Sequence, residues 1–219
     1  MSAAPAPAAV RAADVPIDPR RPLLIVDVDE VLAFFLAGFD RYLNAHGFEL
    51  RMNSFALFQN LYPVGGGEPA PFADGKAMFD SFFATAVDGL DVVPGASEGL
   101  RRLSEIAQIV VLTNAPTSAR EGRARWLATH DMAYPLIINE GLKGPECARL
   151  SARTQGPSVF VDDLLPNLHS VAHDAPAVTL FQSVADPRLR PLAPTDPAVC
   201  ARHDDWADLE PALARALAA

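Results

Sequence analysis

Two observations predict an α/β fold built on a parallel sheet with helices on both faces. Five short apolar runs, at 23–28, 108–113, 135–139, 158–162 and 177–181, have the length of buried strands. Segments of helical periodicity lie between them, at 96–107, 118–130, 144–154 and 167–173. That alternation is the order a βαβ arrangement needs.

Taken along the chain, residues 1–20 are rich in Ala and Pro and lack a leucine-type apolar centre. They are expected to form a disordered leader. Leu23-Leu24-Ile25-Val26 then opens the sheet. About 60 residues separate this run from the next helix, which is too many for one crossover. Residues 34–91 are therefore expected to fold as an insertion, leaving 21–33 and 92–219 as the core. The insertion holds ten of the chain's 12 Phe and has helical patterns at 34–45 and 76–87. Gly65-Gly66-Gly67-Glu68-Pro69 interrupts them, and with no Gly-Lys-Ser/Thr following it is not a phosphate loop. The helix at 96–107 carries Leu100, Leu103 and Ile106; that at 118–130 carries Trp126 and Leu127, with Arg120, Arg123 and Arg125 expected to face outward. Four prolines within 186–197 exclude helix and central strand there. Asp204-Asp205-Trp206 starts a last helix, anchored on the core by Trp206.

Half of the 219 residues are hydrophobic, enough for a sizeable core. A net charge of −9 without a basic tract argues against nucleic acid as a partner. A small phosphorylated ligand needs only one local cation and stays compatible. Cys147 and Cys200 have neither framework nor metal spacing and read as reduced thiols. The apolar stretch near 31–39 is too short to span a bilayer, so no membrane association and a cytoplasmic location are expected.

The chemistry-bearing residues sit at strand ends. Asp27 and Asp29 follow the first run, and side chains two apart on a strand point the same way. Two acids so placed repel unless a cation or donor is near, which suits a nucleophile, an acid/base or a metal site. An N-cap accounts for one of them but not both. Thr113-Asn114 ends the second run, Lys143 lies in the loop Gly141-Leu142-Lys143-Gly144-Pro145, and Asp162-Asp163 ends the fourth.

In this order the set resembles the four motifs of the haloacid dehalogenase-like hydrolase superfamily, across most of residues 22–183. Val93-Pro94-Gly95-Ala96 resembles the family's approach to its second motif. The resemblance implies a three-layer Rossmann-like core with a small, mainly helical cap inserted after the first motif. It implies an Mg²⁺-dependent phosphatase acting on a small phosphorylated metabolite through an aspartyl-phosphate. Asp27 would be the nucleophile, and Asp29 the acid/base, with its backbone carbonyl on the metal. Asp162 and Asp163 would complete the metal site, Asp163 as the direct ligand. Thr113, through its hydroxyl, and Asn114, through its N–H, would hold phosphate, while Lys143 would stabilise the transferring group. Phe34, Phe35, Phe58 and Tyr62 are the candidate substrate-facing cap residues. Glu30 departs from the Gly that many relatives carry after the second Asp. A 5′-nucleotidase, deoxyribonucleotidase-like, is an alternative, as is a catalytically silent binding protein on the same fold. A dehalogenase is disfavoured because those relatives lack the second Asp. A receiver-type signalling domain would need its phospho-acceptor Asp where Thr113 stands.

Overall fold

The computed structural model describes residues 11–219. Its strands and helices, in chain order, are β1 (Leu23–Val26), α1 (Phe35–Ala45), β2 (Phe48–Leu50), β3 (Leu61–Pro63), α2 (Phe72–Thr85), α3 (Ala96–Ile106), β4 (Gln108–Asn114), α4 (Arg120–Thr129), β5 (Leu136–Asn139), α5 (Gly144–Ser151), β6 (Ser158–Asp162), α6 (Leu165–Asp174), β7 (Thr179–Gln182), β8 (Ala201–Arg202) and α7 (Trp206–Leu217).

Six of the strands form one parallel sheet in the order β5-β4-β1-β6-β7-β8. β1 is central, and its four residues are fully buried. Burial of one such side chain is worth about 1.5–3 kcal/mol. Alternate residues feed opposite layers. Leu24 and Val26 pack with Leu100 and Leu103 of α3, Trp126 of α4 and Leu209 and Leu213 of α7. Leu23 and Ile25 pack with Cys147 and Leu150 of α5 and Leu168 and Val171 of α6. This two-sided demand explains why the run is continuously apolar. The three-layer Rossmann-like α/β architecture is the expected one. The five expected strands are all present, and β8 is an addition. Two residues long and preceded by the Pro-rich turns, β8 carries no periodic signal.

The chain leaves the core after Leu32 and returns at Val93. The two passages pair as a short neck, Phe34 N–H donating to Asp91 O at 2.9 Å and Val93 N–H to Leu32 O at 2.8 Å. Between them lie α1, α2 and the β2–β3 hairpin, the hairpin being unforeseen. Phe35, Phe39, Phe79, Phe82 and Phe83 stack into one aromatic cluster between α1 and α2.

The expected leader over 1–20 lies partly outside the described residues. From Arg11 onward the expectation of disorder is corrected. Ala12 and Val15 are buried, and the Arg153 guanidinium donates to both of their carbonyls at 2.7 Å. The signal missed was Val15 and Ile17, two apolar residues that join the α5–α6 layer. No helix among the described residues is long and apolar enough to cross a membrane.

Trp206 anchors α7 as expected. It is buried, and its indole N–H donates to Val31 O at 2.9 Å. Its ring lies flat against Gly99 of α3, where a Cβ would sit 2.6 Å from ring atom Cε3. Gly99→Ala should therefore destabilise the protein by about 1–3 kcal/mol through overpacking. A lower urea midpoint at unchanged slope would report this, and an unchanged midpoint would mean the α3–α7 contact is slack.

Candidate active site

Ligands of open parallel sheets sit beyond the carboxyl ends of the strands, where strand order reverses. Here the chain builds β4 and β5 on one side of β1, then crosses to build β6 and β7 on the other. Asp27 directly follows β1 and its N–H continues the ladder to Val161 O at 3.0 Å. Thr113 and Asn114 end β4, Asp162 ends β6, and Asp163 follows it. The loop after β5 supplies Lys143. All come together at one sheet edge.

Lys143 is fully buried and bridges two strands. Its ammonium lies 2.7 Å from Asp27 Oδ1 and donates to Asp162 Oδ2 at 2.6 Å. The Asp27 contact is an ion pair off hydrogen-bond alignment, so that oxygen has no hydrogen-bond donor among the described residues. Burial pulls the ammonium's pKa down, yet Asp162 and Asp27 together hold it above the ordinary lysine range. Lys143 stays charged because its partners are charged. Gly144 fixes its position, since a Cβ there would sit 2.5 Å from the Ser170 carbonyl and 2.2 Å from the Asp174 carboxylate. The start of α5 can rest on α6 only through glycine.

Asp27, Asp162 and Asp163 each bring a carboxylate oxygen within 4.8 Å of the others. Asp162 is already engaged. Besides Lys143 it accepts the Leu164 N–H at 2.8 Å and the Asn167 amide at 3.1 and 3.2 Å. The Asp163 carboxylate has no such donor among the described residues. Its pKa stands well above the usual range, because burial and then the charges of Asp162 and Asp27 disfavour ionisation. A hard divalent cation fits this set, with oxygen donors only, one carboxylate unengaged and excess negative charge.

Asp29 parts from the cluster. Its carboxylate does not join the three, but pairs with the guanidinium of Arg123. Burial raises the Asp29 pKa, against the pull of Arg123. Arg123 corrects the expectation of an outward-facing α4. It is fully buried, stands 5.2 Å from the centre of the Phe83 ring, and has no partner for Nε or Nη1 among the described residues. Its spacing of three and four from Trp126 and Leu127 puts it on the buried face, a signal the charge concealed. Arg120 and Arg125 do face outward. Thr113 is buried, and its hydroxyl has no partner among the described residues. The Asn114 side chain ties the β4 and β5 loops, donating to Gly141 O and accepting from Asn139. Asn167, holding Asp162, was missed; it opens α6 just after Pro166, where a polar residue reads as ordinary capping.

Neither a protein-family model nor a curated protein matches the sequence. Solved structures do match in shape. A haloacid dehalogenase-like hydrolase of Burkholderia xenovorans superposes with a TM-score of 0.61, covering 92% of this chain and 100% of its own at 18% identity. The hydrolase YfnB of Bacillus subtilis, solved bound to magnesium, gives 0.57, with 89% and 99% covered at 11% identity. A protein of Lactobacillus plantarum described as a phosphoglycolate phosphatase gives 0.53, with 87% and 98% covered at 15% identity. The chain has the haloacid dehalogenase-like fold.

Glu30, which follows the second Asp of the first motif, has φ +60°, the left-handed region. Glu30 is neither solvent-facing nor free for chemistry. Buried, it accepts the Leu36 N–H at 2.7 Å and the Asp186 N–H at 2.8 Å. It thus satisfies an orphan amide in the first turn of α1 and ties α1 to the Pro-rich segment. Burial pushes its pKa up to about 7, against the pull of both amides.

Lys143→Met removes the shared counter-charge of Asp27 and Asp162. In chelator-treated protein it should destabilise by about 3–5 kcal/mol. Denaturation at neutral pH would measure this; a loss below about 1 kcal/mol, the range of an exposed pair, would mean that the bridge is solvated.

Proposed function

We propose that this protein is a phosphatase that hydrolyses a small phosphate monoester by way of a phosphoaspartate on Asp27. The observation that carries the proposal is the Lys143 bridge between Asp27 and Asp162, beside the unengaged carboxylate of Asp163. A phosphatase needs both a carboxylate held ready to attack and excess charge to be matched by a cation. The fold shared with the magnesium-bound hydrolase and the protein described as a phosphatase supports the same reading.

A bound Mg²⁺, held by Asp27, Asp163, the Asp29 backbone carbonyl and indirectly Asp162, would neutralise phosphate charge beside the acids. An Asp27 carboxylate oxygen attacks phosphorus, and the bond from phosphorus to the ester oxygen breaks. Asp29, its pKa raised by burial, gives its proton to the leaving oxygen. Water then attacks phosphorus as Asp29 takes a proton back, and the Asp27–phosphorus bond breaks to release phosphate. Thr113, its buried hydroxyl free, and the Asn114 N–H hold the phosphoryl oxygens; Lys143 offsets their growing charge. Residues 34–91, joined to the core by the neck at Phe34 and Val93, act as the cap that keeps bulk water out during transfer.

Asp27→Asn should fold with an unchanged circular dichroism spectrum yet lose all measurable turnover of an aryl phosphate; turnover near that of the parent protein would sink the mechanism. Chelator should abolish turnover and Mg²⁺ restore it, with Asp163→Ala raising the Mg²⁺ requirement more than Asp162→Ala. Equal effects would mean the two acids share the ion.

Arg123→Met tests the positioning of Asp29. Turnover of an alkyl phosphate, whose leaving oxygen needs a proton, should fall about 100-fold, the scale of a lost general acid. Turnover of p-nitrophenyl phosphate, whose leaving group needs none, should fall far less. Parallel losses would mean that Arg123 serves folding alone.

A further inference from the structure

The cavity above Asp27 and Asp29, partly open to solvent, has a volume of about 260 Å³. Its floor is polar, formed by Asp27, Asp29, Asp163 and Asn114, with Glu30 and Asn167 beside them already bonded to backbone amides and to Asp162. Its walls are hydrocarbon: Phe35 and Leu36 of α1, Phe55 and Leu57 of the β2–β3 connection, and Phe79 and Phe83 of α2. Among the described residues no Lys, Arg or His lines it. Lys143 is paired with Asp27 and Asp162, and Arg123 pairs with Asp29 from behind the Phe83 ring, so neither cation is exposed to the cavity.

The reaction requires the phosphoryl group on the floor, so the leaving group must fill the walled part. A second phosphate or a carboxylate on that group would lose its hydration beside several acids, with no cation to pair with. A polyol would lose hydrogen bonds to water and find no acceptors or donors on the walls. An apolar group would gain, since ring edges and methyl groups surround it.

Resting on the phosphatase reading above, we propose that the substrate is the phosphate monoester of an uncharged, apolar alcohol or phenol. Sugar bisphosphates and phosphorylated carboxylic acids are excluded by the same walls. An apolar cavity of about 150 Å³ holds benzene, so this one takes the phosphoryl group plus one ring or roughly six carbons. The candidates read from sequence are corrected accordingly. Phe35 does line the cavity, whereas Phe34, Phe58 and Tyr62 do not. Phe58 packs on Phe72 and Phe79, and Tyr62 lies under Arg51. Phe55, Phe79 and Phe83 take their places.

The test is kcat/KM of the full chain with Mg²⁺ for n-alkyl phosphates from ethyl to hexyl, phenethyl phosphate, glycerol 3-phosphate and phosphoglycolate. The expected result is a rise of roughly fourfold per methylene until the cavity fills, with glycerol 3-phosphate and phosphoglycolate below ethyl phosphate. Phe55→Ser, at a half-buried wall position, should flatten that rise, read as the slope of log kcat/KM per added methylene. A preference for either polar ester, or a slope untouched in Phe55→Ser, overturns the substrate class while leaving the phosphatase reading standing. If no ester is hydrolysed, the phosphatase reading fails, and calorimetry with hexylphosphonate against 3-phosphonopropionate decides the cavity separately. Tighter binding of hexylphosphonate supports it; equal or weaker binding overturns it.

Discussion

Three carboxylates meet within a few ångströms at the edge of a buried sheet, and a single ammonium makes that tolerable. Lys143 touches Asp27 from β1 and Asp162 from β6, the two strands between which the sheet's central pairing runs. Stripped of that charge, the site would hold two like charges in a low-dielectric interior, and one would have to take up a proton. The surrounding architecture serves this contact. Gly144 lets α5 start against α6 and so brings Lys143 under the acids. Asn167 and the Leu164 N–H fix Asp162 on its other side. Among the described residues, the Asp163 carboxylate and Asp27 Oδ1 are left without a hydrogen-bond donor.

Asp29 follows a different logic only two residues on. The tight turn after Val28, whose carbonyl accepts the N–H groups of Leu32 and Ala33, separates its side chain from the cluster. Arg123 then holds it from α4. Two carboxylates of one motif are thus assigned different partners, Asp27 to Lys143 and Asp29 to Arg123. Glu30 completes the turn in left-handed conformation. The strain of a non-glycine residue there is offset by two amide hydrogen bonds that link α1 to the segment at 184–186.

The cavity inherits its character from how the inserted segment folds. The aromatic cluster is first a core: Phe39 and Phe82 are wholly inside it. Phe35, Phe79 and Phe83 of the same cluster also line the cavity above the acids. The same packing that stabilises α1 against α2 therefore gives the site its apolar walls, and stability and selectivity are not separable at these positions.

Sequence alone determined the sheet and its chemistry-bearing ends. A strand buried on both faces must be apolar throughout, and a polar residue can follow it only where the strand leaves the core, so Asp27, Thr113 and Asp162 announced themselves. The α3 and α7 helices were legible for a related reason, since Leu100, Leu103 and Trp206 mark their buried faces. Tertiary structure decided the rest. Arg123 looked like a solvated charge, and its partner lies 94 residues away. Glu30 looked like a deviation in a motif, and became a strut only when Asp186 arrived beside it. Which rings of a Phe-rich segment face substrate depends on how α1 and α2 rotate against each other. Hydrophobicity marks a side chain as buried, but whether it is buried against protein or against a cavity is a property of the neighbours that the fold supplies.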